Sequence, residues 1–400
     1  MYDLIVIGGG AAGFFSTLIA KEKNPHAKVL LLEKNATLLT KVRISGGGRC
    51  NVTHSCFDPK SLCQNYPRGH KELLGPFHTF NPKDTIEWFK NRGVRLKTEK
   101  DGRMFPVTDD SETIISCLIK EATKLDIPIA LKQKIDQIKR ENEIFLLYLK
   151  DGSLLKCKHL LIATGSSPQG YQWAKDLGHS IEKPIPSLFT FNIPSSNLKE
   201  LSGISVPDCE LLLKGTTFKQ KGPLLITHFG FSGPCVIKLS AWAAPFLFEK
   251  NYKTDLLINW LPNISKNDLK KTIISKKSTQ PNITLVNSDL ISLPKSLKKS
   301  LFASLCEKKL HTLSNKLIDQ LLEKIYSDCY QIDGKTTHKQ EFVTCGGVVL
   351  KEINFKNMES KICPNLYFAG EILNIDGVTG GFNFQNAWTN GFLFGSQVHI

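Results

Sequence analysis

The chain has 400 residues, of which 41% are hydrophobic and 22% charged, and its formal net charge is +15 at pH 7. This length accommodates two or three domains with buried cores, and the composition excludes fibrous, low-complexity and largely disordered proteins. Eleven cysteines lack any C-x-x-C pair, and no basic segment precedes the first apolar run. We therefore expect a cytoplasmic protein with reduced thiols, not a disulfide framework or a membrane span.

The N-terminal stretch contains a complete nucleotide-binding pattern. An apolar run over residues 3–7 leads into G-G-G-A-A-G and then into an apolar helix over residues 14–21. A second apolar run, residues 29–32, ends at Glu33, twenty positions after Gly13. Strand, G-x-G-x-x-G, helix, strand and acidic residue in this order predict a dinucleotide-binding unit.

Each glycine of the fingerprint has its own expected role. Gly8 permits the tight turn, Gly10 lets the backbone approach a pyrophosphate, and Gly13 lets the helix pack closely on the strand. The helix N-terminus at Ala11 and Ala12 presents N–H groups and a positive dipole end to the phosphates. The sequence therefore predicts phosphate binding by this loop.

The acidic residue that follows indicates which part of the ligand lies beside it. Glu33 can accept hydrogen bonds from both ribose hydroxyls of an adenosine, and its charge would repel a 2′-phosphate. Lys34 follows directly and is included in the expected site.

A second glycine-rich segment, K-V-R-I-S-G-G-G-R-C-N, occupies residues 41–51. Three consecutive glycines beside polar residues indicate bare backbone close to another molecule, and a mobile surface loop is the alternative. We expect the rest of the cofactor there, in contact with Lys41, Gly47, Gly48, Arg49, Cys50 and Asn51. Cys50 is either redox-active or a packed thiol. The cysteine and histidine spacing around it matches no zinc pattern, so no metal site is predicted.

These two segments together resemble the HI0933-like flavoprotein family, also labelled BaiN-type or aminoacetone-oxidase-type. Later motifs agree with it: G-R-M-F-P at 102–106, A-T-G at 163–165, T-H-F-G-F-S-G-P at 227–234 and G-E at 370–371. The resemblance implies an α/β fold, with a Rossmann-like FAD-binding domain of the glutathione-reductase type and an inserted β-barrel-like plus helical domain. It also implies that Thr164 and Gly165 pass the adenosine half of FAD.

The middle of the chain predicts several further elements. Short runs at 129–131, 143–149 and 154–157 indicate an antiparallel meander, followed by a separate parallel strand at 159–165. G-R-M-F-P is expected to form a turn. Prolines and short β-like runs from about Pro184 indicate a β-rich insert. Ser232 is expected to cap the helix that follows it. His228 is the general acid/base candidate, with a hydrogen-bonded structural histidine as the alternative.

The lysine-rich part of the insert, residues 255–325, reads as mostly helical. Only seven of the 52 basic residues are arginine, and ten lysines lie within residues 266–309 against three carboxylates. Solvated helix faces are the favoured explanation, because specific phosphate and base readout prefers arginine. RNA binding stays open as the alternative.

The C-terminal part returns to cofactor binding. A strand is predicted at 342–348 and another before Gly370 and Glu371, which in the family hold the ribityl chain of FAD. A glycine-rich turn then leads into a helix from about Phe384, whose N-terminus would stabilise negative charge on reduced flavin. Gly381, Phe382 and Asn383 are expected to contact the flavin there; Phe382 stands where the family often has tyrosine.

The expected domains are an FAD-binding domain of residues 1–185 and 340–400, a β-barrel-like insert of 186–254 and 326–339, and a helical insert of 255–325. The predicted function is that of an FAD-dependent oxidoreductase acting on a small molecule. FAD is preferred over NAD as the tightly held nucleotide because no second G-x-G-x-x-G is present. The family resemblance implies NAD(P)H as a reductant that docks transiently. The alternatives are a flavoprotein that modifies tRNA and a small-amine oxidase that uses O2.

Overall fold

The computed structural model describes residues 1–336 and 343–400. The described chain divides into two compact units, one of residues 1–187 and 343–400 and the other of residues 188–336. The predicted division of the second unit into a β-barrel-like and a helical insert stays a prediction. The predicted boundary at 339/340 and the first residue of the strand predicted at 342–348 lie outside the described residues.

The secondary structure is as follows. The strands in chain order are β1 (Tyr2–Ile7), β2 (Val29–Leu32), β3 (Thr53–His54), β4 (Leu96–Thr98), β5 (Arg103–Pro106), β6 (Ile129–Ala130), β7 (Ile135–Glu141), β8 (Ile144–Leu149), β9 (Leu154–Ile162), β10 (Ile181–Pro186), β11 (Thr190–Asn192), β12 (Ser205–Leu213), β13 (Lys219–Thr227), β14 (Gly230–Ser232), β15 (Lys253–Asn259), β16 (Asp328–Asp333), β17 (Lys335–Thr336), β18 (Thr344–Val348), β19 (Ile353–Asn354), β20 (Glu359–Ser360) and β21 (Leu366–Phe368). The α-helices are α1 (Ala11–Lys23), α2 (Thr40–Gly48), α3 (Pro59–Cys63), α4 (Leu74–Thr79), α5 (Pro82–Lys90), α6 (Glu112–Lys124), α7 (Pro168–Asp176), α8 (Pro234–Trp242), α9 (Ala244–Glu249), α10 (Lys266–Thr279), α11 (Lys295–Phe302), α12 (Asn315–Tyr326) and α13 (Phe382–Gln397).

A parallel sheet forms the centre of the first unit. Its parallel strands lie in the order β21-β9-β1-β2-β6. Residues 4–7 of β1 and all of β2 and β21 are buried and almost wholly apolar, as expected for a parallel sheet covered on both faces. Ile7 pairs with both Leu32 and Ile162, and Ile162 pairs with Phe368. The carboxyl ends of four strands are therefore level with one another at one edge of the sheet.

Strand β9 corrects the predicted meander. The sequence predicts an antiparallel strand at 154–157 and a separate parallel strand at 159–165, but a single strand covers Leu154–Ile162. Its first half pairs antiparallel with β8 and most of its length pairs parallel with β1. The run at 129–131 is also assigned wrongly, since β6 joins the parallel sheet and β7 is the third strand of the meander. The expected turn at G-R-M-F-P is likewise strand β5.

The long C-terminal helix α13 packs along α1. It begins at Phe382, two residues before the predicted start. A Cβ atom at Gly395 would lie 2.7 Å from both the Ala20 nitrogen and the Ile19 Cβ, so the glycine allows close approach of the two helices. This contact joins the C-terminal helix to α1, the helix that follows the glycine-rich fingerprint.

The second unit contains a seven-stranded antiparallel sheet in the order β16-β15-β12-β13-β14-β11-β17, packed with helices α8–α12. Strand β15 (Lys253–Asn259) lies largely within the segment predicted to be helical, whose helical character begins at α10. The cap predicted for α8 is also wrong: Gly233, with φ +96°, is the N-cap, while Ser232 belongs to β14. Within the described ranges, we find no helix with the length and apolar character needed to cross a membrane.

Candidate cofactor site

The segments predicted to bind a nucleotide follow strands that end at the same edge of the sheet. Gly8 follows β1, Glu33 follows β2, Thr164 comes two residues after β9, and Gly370 comes two residues after β21. Because these strands are parallel and in register, the four segments meet at one edge. Ligands of open α/β sheets bind at the carboxyl ends of the strands, so the strand register itself builds a candidate site.

The three fingerprint glycines have different surroundings. Gly8 has φ +114°, and a Cβ there would overlap the Ala163 carbonyl. A Cβ at Gly13 would overlap the Gly8 carbonyl, so this glycine is required by the packing of α1 on β1. Gly10, by contrast, has no heavy atom within 4 Å of a Cβ position. Protein packing therefore explains Gly8 and Gly13, whereas the space beside Gly10 is open for a ligand.

The start of α1 adds an electrostatic reason for binding phosphate there. Gly10 is its N-cap and supplies no side chain, and no acidic residue lies in the first turn. The N–H groups at Ala11 and Ala12 are among those that an α-helix does not bond internally. An anion beside Gly10 would meet these donors and the positive end of the helix dipole.

Glu33 is held in place by the protein. It is 9% exposed, and its Oε2 accepts a hydrogen bond from Gly9 N–H at 2.8 Å. Its Oε1 accepts two more from the backbone and side chain of Asn35, each at 2.8 Å. These donors fix the carboxylate at the end of β2, where a ribose would be bound. The exposed Lys34 lies beside it, with Nζ 3.4 Å from Ser167 Oγ.

The second glycine-rich segment interrupts α2. The backbone leaves the helical conformation at Ser45, Gly46 and Gly47. No heavy atom lies within 4 Å of a Cβ position at Gly47 or Gly48, as at Gly10. Arg49 then anchors the segment: its guanidinium lies 4.0 Å from the Phe105 ring centroid and donates to Glu99 at 2.7 Å. The exposed glycine backbone at Gly47 and Gly48 is thus followed directly by the Arg49 side chain, whose position is fixed.

Two residues that follow are buried. Cys50 is fully buried, and burial raises the pKa of its thiol to about 12, so it is held as a neutral thiol and not as a reactive thiolate. Asn51, with its amide nitrogen turned to donate to Thr53 O at 3.1 Å, accepts from Gly381 N–H at 2.9 Å. This bond ties the 41–51 segment to the start of α13. Among the described residues, no group of three or more side chains could hold a metal ion.

Glu371 joins three segments of the first unit. Its Oε2 lies 2.5 Å from Lys41 Nζ, and its Oε1 accepts from Thr344 N–H at 3.1 Å. A Cβ at Gly165 would lie 3.7 Å from the same Oε2, so the A-T-G segment passes beside this carboxylate. The preceding Gly370 donates its N–H to Asn390 on α13 at 3.1 Å. The structure therefore brings the predicted Lys41, Thr164-Gly165 and Gly370-Glu371 segments together.

The N-terminus of α13 is built by the turn before it. Gly381 is the N-cap, with φ +92°, and a Cβ there would be only 2.5 Å from the Thr53 carbonyl. Phe382 stacks on His54 with ring centroids 4.6 Å apart, and its carbonyl accepts from Tyr66 OH at 2.6 Å. Asn383 closes the turn through two hydrogen bonds to the backbone of Gly377, at 2.8 and 2.9 Å. These contacts give the helix end a fixed position.

A buried ion pair beside this turn escaped the sequence analysis. Asp376 is 0% exposed; Arg68 Nε donates to its Oδ1 at 2.5 Å, and Arg68 Nη2 and the Ser187 hydroxyl donate to its Oδ2. Burial raises the pKa of Asp376 and Arg68 opposes that rise. No sequence signal points to this pair, because 308 positions separate its members.

His228 lies in the second unit. It is distant in sequence from the glycine-rich loop of residues 8–13, which we call the cradle. It occupies the turn between β13 and β14, is exposed, and its ring centroid is 3.9 Å from that of Phe229, which is 52% exposed. Thr227 fixes the turn by accepting from Gly230 N–H at 3.2 Å. The catalytic role of His228 therefore stays a prediction.

Sheet order, open glycine backbone and converging strand ends together define a Rossmann-type dinucleotide-binding protein, and the residues present fit FAD. The family model described as "HI0933-like protein Rossmann domain" matches residues 2–397. The chain belongs to this HI0933-like family and is an FAD-dependent oxidoreductase, which confirms the predicted family, fold class and cofactor.

Named relatives match over nearly the whole chain. Ribosomal RNA dihydrouridine synthase of Escherichia coli (strain K12) is 30% identical, over 97% of this chain and 96% of that protein. The 3-dehydro-bile acid delta(4,6)-reductase of Clostridium scindens is 24% identical, over 98% and 97%. The solved 3-ketosteroid-delta4-(5alpha)-dehydrogenase from Rhodococcus jostii RHA1 covers 99% of this chain and 96% of its own, at 13% identity and TM-score 0.52, and shares the fold.

Proposed function

We propose that this protein reduces a carbon–carbon double bond conjugated to a carbonyl group, and that uridine in ribosomal RNA is its substrate. The C5=C6 bond of uracil is conjugated to the C4 carbonyl, and dihydrouridine is its reduced form. The 4,6-diene of a 3-oxo steroid is conjugated in the same way. The names of two relatives that match nearly the full chain therefore describe one type of chemistry on two different substrates.

The choice of RNA is supported by identity and charge. The relative named for ribosomal RNA is 30% identical and the one named for a bile acid is 24% identical. The net charge of +15 is compatible with a polyanionic partner. A steroid-like enone is the second candidate substrate, and the name of the bile-acid relative supports it. Neither name favours the two alternatives of the sequence analysis, tRNA modification and amine oxidation.

When bound, FAD supplies a two-electron carrier that passes hydride to the substrate. The chain's contribution is to hold it. In our proposal the backbone at Gly10 approaches the pyrophosphate, Gly8 and Gly13 shape the turn and the close packing of α1 that make this approach possible, and Glu33 binds the adenosine ribose. The remaining contacts are those predicted above from residues 41–51, Thr164-Gly165, Gly370-Glu371 and Gly381–Asn383. The N-terminus of α13 would stabilise negative charge on the reduced cofactor.

NAD(P)H is proposed as the source of the electrons, docking only transiently. The proposed reduction consumes two electrons per double bond, which a pyridine nucleotide supplies as hydride. The single G-x-G-x-x-G is assigned to FAD, so the sequence has no second such motif to hold NAD(P)H tightly. His228 is proposed as the proton donor to the substrate. Its exposure on a fixed turn leaves its ring accessible, which a proton-transfer group requires.

A product assay tests the proposal. Purified FAD-loaded protein would be incubated without oxygen with NADPH or NADH and ribosomal RNA lacking dihydrouridine, and the digested nucleosides analysed by mass spectrometry. We expect a uridine-derived product heavier by two hydrogens, which depends on the reductant. A parallel incubation with a 3-oxo-4,6-diene steroid addresses the second candidate. No reduced product from either substrate with either nucleotide would contradict the proposed reaction.

A further inference from the structure

The tip of the β13–β14 hairpin presents an aromatic ring to solvent. Among the described residues, Phe229 is the most exposed Phe, Tyr or Trp, at 52%, followed by Phe57 at 37%. Phe231, two residues further along, is fully buried and packs against Tyr330 with ring centroids 5.0 Å apart. Phe231 therefore supplies the contact with the core at this hairpin, whereas half of Phe229 stays in water.

Turn chemistry does not explain Phe229 either. Thr227 pairs with Gly230, so the hairpin loop consists of two residues, His228 and Phe229. Two-residue loops favour type I′ or II′ turns, which need a positive φ at one or both central residues and therefore take glycine, asparagine or aspartate. Neither His228 nor Phe229 has a positive φ. The chain places two bulky rings where a hairpin ordinarily has small residues, and such departures from local rules are expected at functional sites.

The backbone that carries the ring is held by several contacts. The Phe229 carbonyl accepts from Ile193 N–H at 2.8 Å. Thr227 Oγ1 accepts from Gly230 N–H at 3.2 Å and donates to the Gly230 carbonyl at 3.1 Å. A Cβ at Gly230 would lie 2.3 Å from the Phe191 carbonyl, so the hairpin packs closely on β11. Because the loop is already ordered, a flat molecule that binds to the ring does not have to order it.

An exposed aromatic ring on a fixed loop is suited to stacking. Proteins that bind single-stranded RNA stack its unpaired bases on Phe, Tyr, Trp and His, since every base has a π face. The His228 ring is also exposed, and its centroid is 3.9 Å from that of Phe229, with 42° between the planes. Uracil is planar, whereas the rings of a steroid are largely saturated and present aliphatic hydrogens. The hairpin tip therefore fits a nucleobase better than a steroid.

We propose that Phe229 is the residue on which a base of the RNA substrate stacks. This inference rests on the proposed function and extends it by naming a residue that recognises the base. A base stacked on Phe229 lies beside His228, the proposed proton donor.

The test compares the binding of two short single strands to the FAD-loaded protein. One is oligouridine, and the other is an abasic strand with the same sugar-phosphate backbone, length and charge. Phe229→Leu keeps an apolar side chain but removes the π face, so we expect the Kd for oligouridine to rise about fivefold or more. The Kd for the abasic strand should not change. Fluorescence anisotropy of end-labelled strands gives both constants without turnover, and thermal melts check that the variant is folded.

Two further variants serve as controls. Phe229→Trp retains a π face and should bind oligouridine with a Kd within about twofold of wild type. Phe57→Leu removes the other exposed phenylalanine and should change neither Kd. Equal affinity of the wild-type protein for the two strands would overturn the proposal, as would a wild-type Kd for oligouridine in Phe229→Leu. An equal loss for both strands would also overturn it, because a backbone contact and not a base would then be affected.

These outcomes differ from those of the product assay. Base-dependent binding through Phe229 without any dihydrouridine would contradict the proposed reaction but not the stacking. Dihydrouridine formed by Phe229→Leu at the wild-type KM for RNA would contradict the stacking but not the reaction. With the conjugated steroid, Phe229→Leu should keep the wild-type KM, because leucine contacts aliphatic rings as well as phenylalanine does. A comparable loss with the steroid would show an apolar contact only and overturn the assignment to a base.

Discussion

At the residue scale, Gly10 and Gly13 separate ligand binding from folding. Gly10→Ala places its methyl in open space and keeps an extended backbone (φ −85°, ψ −173°), so we expect the apoprotein to fold with stability within about 0.5 kcal/mol of wild type. The same methyl would enter the path of the pyrophosphate. We predict at least a tenfold loss of FAD affinity, about 1.4 kcal/mol, measured by fluorescence titration.

Two other glycines serve as controls for this substitution. Gly13→Ala would overlap the Gly8 carbonyl and should therefore destabilise the apoprotein itself. Gly75 in α4 also has no heavy atom within 4 Å of a Cβ position, but it lies outside the cradle, and Gly75→Ala should bind FAD normally. If Gly10→Ala retains full yellow colour and wild-type affinity, the loop does not bind the pyrophosphate.

His228→Ala tests the proposed proton donor. General acid catalysis contributes roughly 10²–10⁴-fold, so we expect the reoxidation of reduced flavin by substrate to slow about a hundredfold or more. Flavin reduction by NAD(P)H should be unchanged, and stopped-flow absorbance separates the two half-reactions. Phe229→Ala, which removes the ring in contact with His228, is the control for loss of the aromatic pair alone. Reoxidation at the wild-type rate in His228→Ala would remove the residue from the chemistry.

At the scale of elements, the turn that positions α13 is held by the segment around Arg68. Arg68→Met would leave the buried Asp376 carboxylate without its cation, which costs about 3–5 kcal/mol at pH 7. Burial already raises the pKa of Asp376, and loss of Arg68 raises it further. The stability deficit of the variant should therefore shrink as pH falls and Asp376 becomes protonated. Urea unfolding of both proteins at several pH values measures this, and a pH-independent deficit would contradict it.

The connection between α7 and β10 contains a pH-sensitive group. His179 Nδ1 lies 2.9 Å from Glu352 Oε2 and its Nε2 lies 2.8 Å from Ser360 Oγ. Burial lowers the pKa of His179 below its usual 6.5, although Glu352 opposes the shift. The folded state then binds fewer protons than the unfolded state, so stability is lost as pH falls below about 6.5 towards the folded pKa.

His179→Gln should accordingly be less stable than wild type at pH 7.5 but should lose less stability between pH 7.5 and pH 5.5. Burial also lowers the pKa of His159, so some slope of the same sign should remain in the variant. Thermal melts across this pH range provide the measurement. A variant with the full wild-type slope would show that His179 does not titrate in this interval.

Sequence patterns predict the elements that depend only on neighbouring residues. The β1-loop-α1-β2 unit is predictable because its glycines, strands and helix are contiguous in sequence. The extent of strand β9 is not predictable in this way, because its two halves pair with different partners, β8 and β1, and only the tertiary arrangement joins them. The cap of α8 moved from Ser232 to Gly233 because the chain needs φ +96° there, which glycine adopts readily.

The candidate site shows the same division. The sequence contained the cofactor-binding motifs, but it did not show that Lys41 and Glu371 lie 2.5 Å apart across 330 positions. The pairing of Arg68 with Asp376 spans 308 positions and becomes visible only in the folded chain. Long-range polar contacts of this kind have no signature in a single sequence.

At the scale of the whole molecule, the lysine-rich segment is partly neutralised. The structure pairs Lys266 with Glu323 and Lys270 with Asp319, at 2.8 and 2.6 Å, and Lys299 with Glu307 at 3.7 Å. Much of this positive charge therefore supports the helices, as the sequence analysis favoured. Within the described ranges, the exposed lysines at 271, 308 and 309 form no ion pair with a carboxylate, so they remain available to a polyanion.

If RNA is the substrate, the triple replacement of Lys271, Lys308 and Lys309 by Gln should weaken its binding. Each phosphate contact contributes about 0.7 to the slope of log K against log salt for a single strand, so the slope should fall by about 2. Replacing the ion-paired Lys266, Lys270 and Lys299 by Gln changes the net charge by the same amount. This second triple variant should lower the slope of log K against log salt by less. Equal effects of the two triple variants would show that only net charge matters.

The most direct measurement follows the oxidised-flavin absorption band of the purified protein without oxygen, first during titration with NADPH or NADH and then on adding ribosomal RNA. The structure and the family predict a yellow protein. Our proposal predicts bleaching by one nucleotide and return of the band as RNA uridine is reduced, in amounts equal to the dihydrouridine formed. A colourless protein that takes up no added FAD would contradict the cofactor assignment. A bleached band that neither RNA nor the conjugated steroid restores would contradict the proposed reaction.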